Sequence, residues 1–246
     1  MPENVRLIQG LLKNMPGSAK PTLSADELML QVAELSRQAA SQLALERQEN
    51  RQHKANELLG RLTIPSRYST ANLDSPNSSQ PNAYKIAKAF VAEFDTKLKC
   101  GAGLMLWGDV GTGKTHLACA IANTVRRKMH SVLYCTAIEA VMLIKSCWKR
   151  GDSGLTEYDV YSRFADPELL ILDEIDAQIG RDFERMILTN IADIRSRNCL
   201  PTIVISNLAP KEIYMLLGER MFDRLVGFGA DIVHMSGKTL RIKTIE

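Results

Sequence analysis

The residues GLMLWGDVGTGKTHLACAIAN, 103–123, restrict the fold more than any other part of the chain. The apolar run over 103–107 has the length of a buried strand, and the spacing after it predicts an amphipathic helix over 114–129. Between them the pattern GxxxxGKT runs from Gly108 to Thr115, and this flanking context sets it apart from a Gly-rich turn that binds nothing. Gly108, Gly111 and Gly113 let backbone N–H groups converge on phosphate oxygens at the positive end of the following helix. Asp109, Val110, Thr112 and His116 complete the expected contact set. Lys114 is expected to reach the β and γ phosphates of a nucleotide, and Thr115 to ligate Mg²⁺.

Further on, LLILDEID (169–176) is an apolar strand that ends in carboxylates. Asp173 emerges at the strand's carboxyl end, where ligands bind in open α/β sheets, and suits a hold on Mg²⁺ through water. Glu174 is placed to orient or deprotonate an attacking water. A kinase would need no such adjacent base, so the pair favours ATP hydrolysis. The plainer alternative is that Glu174 or Asp176 caps the following segment. In PTIVISNLAP (201–210) a β-branched strand ends in Ser206 and Asn207. If this strand neighbours the one ending at Asp173, the Asn207 amide can hold that water; asparagine at a strand end is equally an ordinary turn former.

Between residues 83 and 246 strands and helices alternate: strands over 103–107, 132–136, 168–172, 201–206 and 230–235, helices over 114–129, 138–149, 182–197 and near 210–226. A helix carrying Ile86, Phe90, Val91, Phe94 and Leu98 precedes them. This order predicts an α/β domain with a parallel five-stranded sheet covered by helices on both faces. SRYSTANLDSPNSSQPN (66–82) has the composition of an ordered loop or linker, so the expected organisation is a helical domain over 1–62, a linker over 63–82 and the α/β domain over 83–246. In the first domain Val5, Ile8, Leu12 and Met15 form one short stripe. Behind the capping box Ser24-Ala25-Asp26-Glu27, Leu28, Val32, Leu35, Ala39 and Leu43 form another. A stripe this narrow cannot close its own core and must pack on the rest of the chain or on a partner.

The 246 residues are 45% hydrophobic and 24% charged, which excludes disorder throughout, and the net charge of +3 permits a nucleic-acid partner without arguing for one. Five scattered cysteines without a CxxC pair indicate neither a disulfide framework nor a zinc site. With no leader pattern and no long apolar run, the expected setting is the cytoplasm, with no membrane contact.

LLGERMFDRL (216–225) is electrostatically odd. On a helix its two i,i+4 pairs, Arg220 with Arg224 and Glu219 with Asp223, are like-charged, each costing about 0.2–0.5 kcal/mol. Either an Arg220–Asp223 pair on a solvated face relieves this, or the arginines await an anion from elsewhere.

The order of parts, GDVGTGKTHLACAI, LLILDEID, ISNL and then LLGERMFDRL, resembles the AAA+ P-loop ATPases, and more narrowly the bacterial DnaC-type helicase loaders and the related IstB-type transposition ATPases. The resemblance covers most of residues 83–245. It implies a slow Mg²⁺-dependent ATPase that binds a hexameric replicative helicase through its amino-terminal domain and single-stranded DNA through its core. Subunits in that family assemble through ATP-bridged interfaces. Asn207 then becomes the first phosphate sensor, Arg220 the finger supplied to a neighbour's γ-phosphate, and Arg241 the last sensing arginine. Only 22 residues follow Arg224, fewer than a helical lid domain needs, which is the truncation seen in loaders and IstB-type ATPases alike. The GERMFDR run and the Met-rich helix before it look more like the loader. A transposition helper, and an adaptor that uses ATP only as a switch, stay as alternatives.

For DNA contact the stretch 138–164 offers Lys145, Trp148, Lys149 and Arg150, cations beside a large aromatic that would track phosphates and stack a base. Core packing for Trp148 and a solvated helix end for the cations is the competing reading. Arg126, Arg127, Lys128 and His130 form a second basic cluster, which reads as an ordinary helix carboxyl terminus.

Overall fold

The computed structural model describes residues 62–74, 79–149, 156–177, 182–227, 229–237 and 239, together with scattered positions between 30 and 49. Contacts divide the chain into two compact units, Met1–Asn50 and Arg51–Glu246. In the first unit the described positions, Leu30 to Glu49, are helical. Of the stripe expected there only Leu43 is described, and it is exposed. The stripe Val5, Ile8, Leu12 and Met15 lies outside the described residues.

In the second unit the strands are β1 (Leu104–Trp107), β2 (Val132–Thr136), β3 (Leu169–Asp173), β4 (Thr202–Ser206) and β5 (Asp231–His234). All pair in parallel, in the order β2-β3-β4-β1-β5. The helices are α1 (Pro81–Ala92), α2 (Phe94–Cys100), α3 (Lys114–Arg127), α4 (Ala137–Lys149), α5 (Glu157–Arg163), α6 (Asp182–Arg197), α7 (Pro210–Leu217) and α8 (Glu219–Val226). Sequences such as LLILD and TIVIS read as continuous apolar runs because both faces of the sheet are covered. Alternation along each strand splits the core in two. Leu104, Leu106, Ile171, Ile203 and Ile205 pack with α1 and α3, whereas Met105, Leu133, Leu170, Leu172 and Val204 pack with α4 through α8.

Three local features differ from the sequence expectation. The helix expected around residues 86–98 is interrupted at Glu93 (φ −99°, ψ 14°), which divides it into α1 and α2, with Phe90 and Phe94 buried on either side. α5 was not anticipated, although Thr156 and Asp159 form a reciprocal capping box at its start. The segment read as a linker packs on the domain: Ser66–Tyr68 is a 3-10 turn, Ala71 and Leu73 are buried, and Asn123 Nδ2 donates to the carbonyls of Tyr68, Ser69 and Ala71.

In the basic cluster at the end of α3, Lys128 and His130 have partners within the domain. Lys128 Nζ donates to Val91 O at 2.6 Å, and His130 lies 2.9 Å from Glu168 and 3.3 Å from Asp95. Among the described residues no helix is long and apolar enough to cross a membrane.

Among the described residues one cation is fully internal. Arg195 of α6 is 1% exposed and donates to Thr202 Oγ1 and to the carbonyls of Phe164, Pro167, Glu168 and Pro201. It ties the loops before β3 and β4 to α6. Burial lowers its pKa to about 9, so it remains charged at neutral pH. Arg195→Ala strands those carbonyls and is expected to destabilise the domain by about 3 kcal/mol, read as a lower urea midpoint at unchanged slope. An unchanged midpoint would show that the loops hold without it.

Candidate nucleotide site

Register places the site. β3 and β4 are neighbours, with Leu172 opposite Val204, so Asp173 and, two residues further along, Asn207 leave the sheet at the same carboxyl edge and line one cleft. β1 lies beyond β4 and delivers Gly108–Gly113 to the same edge. There the chain forms a cleft of about 520 Å³ lined by Gly111, Lys114, Thr115, His116, Asp173, Glu174 and Asn207, among others.

The loop has the backbone that a phosphate cradle demands. Gly108, Gly111 and Gly113 have φ of 129°, 85° and 97°, values that glycine adopts freely and other residues rarely. A Cβ on Gly111 would lie 2.1 Å from Thr239 Oγ1, so the carboxyl-terminal strand extension leaves no room for one. That extension crosses the loop. Met235 N donates to Trp107 O, Gly237 N to Asp109 Oδ2, and Gln80 Nε2 to Ser236 O. Lys114 is buried, and its Nζ donates to the carbonyls of Gly108 and Asp109, both at 2.7 Å.

Asp173 is the centre of the polar side. Its Oδ2 accepts from Thr115 Oγ1 at 2.9 Å and from Tyr134 Oη at 2.7 Å, and its Oδ1 accepts from the backbone N–H of Glu174 at 2.8 Å. The two residues expected to hold Mg²⁺, Thr115 and Asp173, are thus in direct contact. Burial, and then the Asp173 charge, push the Tyr134 hydroxyl far above the usual phenol range, so it stays a donor. Glu174 has φ 53°, a left-handed conformation costing about 1–2 kcal/mol, and turns its side chain toward the cleft.

Asp176 has partners across the sheet. Its carboxylate crosses to β4, accepting from Ser206 Oγ at 2.7 Å, Asn207 N at 3.2 Å and Asn207 Nδ2 at 3.3 Å. It therefore orients the Asn207 amide at the cleft. Opposite, the segment read as a linker contributes Arg67 and Tyr68 to the lining. The Arg67 guanidinium lies 4.7 Å from the Tyr68 ring, and Tyr84 Oη is 3.3 Å from His116 Nδ1. Nothing in the composition of that segment distinguished these two residues.

The arginine helix α8 lies against α6, outside the cleft. Arg220 Nη2 is 3.3 Å from Asp193 Oδ2, and Arg224 pairs with Oδ1 of the same carboxylate. The anion that relieves the like-charge pairs is therefore Asp193 of α6. Arg220 is 72% exposed, Arg224 34% and Asp193 17%.

Of the DNA-contact candidates, Lys145 is 3.0 Å from Glu184 and 5.5 Å from the Phe183 ring centroid, so it is paired on the surface of α6. The side chains of Trp148 and Lys149, and all of Arg150 and Arg241, lie outside the described residues.

A parallel sheet in this order, with a GKT loop and acidic and amide strand ends meeting in one cleft, defines a P-loop ATP-binding protein with an AAA+ core. The model of the family described as IstB-like ATP binding protein matches residues 27–246. The replicative helicase loader DnaC of Escherichia coli (strain K12) is 32% identical over 222 residues, 89% of this chain and 88% of that protein. A crystal structure of the DnaC helicase loader gives a TM-score of 0.60 at 23% identity, over 70% of this chain and 99% of that one. AMPPCP-bound DnaA from Aquifex aeolicus gives 0.55 at 20% identity over 67% of this chain, which spans about half of that structure. The chain belongs to the DnaC/IstB-like family of ATP-binding proteins.

Gly111→Ala combines a disfavoured φ with the Thr239 contact. It is expected to lower the affinity for a fluorescent ATP analogue by about tenfold or more, from a strain of about 1–3 kcal/mol. Equal affinity in a folded variant would mean that the loop can move aside without loss.

Proposed function

We propose that this protein is an ATP-dependent loader of a replicative helicase, with helicase binding assigned to the amino-terminal helical region and single-stranded DNA binding to the AAA+ core. The observation that carries the proposal is the 32% identity to a replicative helicase loader over 89% of the chain. The cleft geometry supports the ATP half of it.

In this reading Lys114 exchanges its bonds to the Gly108 and Asp109 carbonyls for phosphate oxygens when nucleotide enters the loop. Thr115 and Asp173 are the oxygen donors that would hold Mg²⁺, a donor set of the hard kind that this cation takes. Mg²⁺ held there would neutralise charge on the β and γ phosphate oxygens. Glu174 orients the attacking water, helped by the Asn207 amide that Asp176 fixes. Arg220 lies on an exposed helix away from its own chain's cleft, which suits a finger offered to a neighbouring subunit, while Arg224 holds α8 on α6. Arg241 keeps the role of last phosphate-sensing arginine that the family resemblance assigns it. Lys145, Trp148, Lys149 and Arg150 remain the DNA-contact set, acting in the cytoplasm on the exposed strand.

Two experiments test this. Co-purification with replicative helicases should give a nucleotide-dependent complex that is lost when residues 1–60 are deleted, with ATP affinity kept. Binding to a transposase and duplex DNA instead would select the transposition helper, and loss of neither complex on deletion would refute the amino-terminal assignment. Arg220→Ala should keep ATP affinity and lose turnover, by 10³ to 10⁵ for a typical trans-acting arginine. Mixing it with Lys114→Ala should restore part of the activity. Full turnover in the single variant would return Arg220 to an ordinary surface pair with Asp193.

A further inference from the structure

We infer that Tyr134 is a positioning residue for the metal-holding carboxylate: it fixes Asp173 from the sheet, independently of the phosphate loop. This rests on the reading that Asp173 and Thr115 hold the cation of a bound Mg²⁺–nucleotide.

Strand register puts the hydroxyl where it is. Thr136 is opposite Asp173, and Tyr134 is opposite Ile171, so Tyr134 lies two residues below the carboxylate on the same face. Two residues of strand rise about 6.6 Å, close to the reach of a phenol side chain. The ring is therefore buried in the core against α3, and its oxygen arrives 2.7 Å from Asp173 Oδ2 at the carboxyl edge. Val, Ile or Leu at this position would fill the core but stop short.

The other side-chain donor on that oxygen, Thr115 Oγ1, belongs to the loop that must rearrange around phosphates and is itself a cation donor. Lys114, its neighbour, must also give up two carbonyl partners. Tyr134 undergoes no such exchange, because it belongs to a sheet strand rather than to the loop and its ring is buried in the core. Together with the Glu174 N–H on Oδ1, it holds both carboxylate oxygens in one orientation before nucleotide arrives. Partners behind a metal ligand contribute about 10–100-fold to metal affinity or activity.

Tyr134→Phe removes one atom and keeps the ring. The measurement is the dissociation constant of a fluorescent non-hydrolysable ATP analogue, taken in EDTA and in saturating Mg²⁺, for the parent chain, Tyr134→Phe and Asp173→Asn. The inference expects for Tyr134→Phe an unchanged constant in EDTA and a loss of about tenfold in the gain that Mg²⁺ gives, while Asp173→Asn, the control for the metal assignment, loses that gain. Thermal unfolding without nucleotide checks that the variant is folded. If Asp173→Asn loses the Mg²⁺ gain and Tyr134→Phe keeps it within about threefold, the positioning role is wrong while the metal assignment stands. If Asp173→Asn keeps the gain, both fail. A weaker constant in EDTA for Tyr134→Phe would show a general packing role and overturn the inference as well.

Discussion

The Asp173 carboxylate is the interaction on which the ATP-binding half of the molecule depends. It is 3% exposed, and a buried carboxylate is tolerated only where hydrogen bonds replace water. Three elements meet that demand together: α3 through Thr115, β2 through Tyr134, and the turn after β3 through the Glu174 amide. The same bonds set the distance between loop and sheet and the starting direction of the chain at Glu174. The parallel register does the rest, since it aligns the ends of β3 and β4 and makes Asp176 available to Asn207.

Helix α6 supplies the second organising point, through two residues that face opposite ways. Arg195 turns inward and donates to carbonyls and one hydroxyl. Asp193, two residues earlier and about 200° around the helix, turns toward α8 and takes both arginines. One helix thus pins the loops entering β3 and β4 at its carboxyl end and sets the placement of the arginine helix from its outer face.

Much of this was legible in the sequence. The strands show as apolar runs because the sheet is covered on both faces, and the glycine loop shows because its backbone admits few other residues. Lys114 and Thr115 from the loop and Asp173, Glu174 and Asn207 from strand ends meet in one cleft. What was hidden depends on partners far along the chain. Tyr134 reads as a core residue in a buried strand, and it is one; only its oxygen has another task, with a partner 39 residues away. Residues 66–73 have no periodicity, and what orders them lies far along the chain: the core that buries Ala71 and Leu73, and the Asn123 side chain on a helix more than 50 residues on. Asp193 and Arg195 lie in the helix expected over 182–197, and nothing local in the sequence sets them apart from its other polar residues.

The like-charged pairs of α8 illustrate a more general inference. Two such pairs cost about 0.4–1 kcal/mol together, a penalty that an isolated helix would feel in full. Charge-assisted hydrogen bonds to a mostly buried carboxylate contribute about 1.5–3 kcal/mol, so Asp193 outweighs the penalty within the folded chain. The two arginines do not share that gain equally. Arg224 is one-third exposed and close to Asp193, whereas Arg220 is 72% exposed and makes its contact at 3.3 Å, in the range where surface pairs contribute about 0–1 kcal/mol. Arg220 is therefore cheap to release and Arg224 is not. A helix anchored by one arginine while another stays exchangeable can present the second to an incoming anion without coming off the domain, which is the mechanical requirement for any finger that acts between subunits.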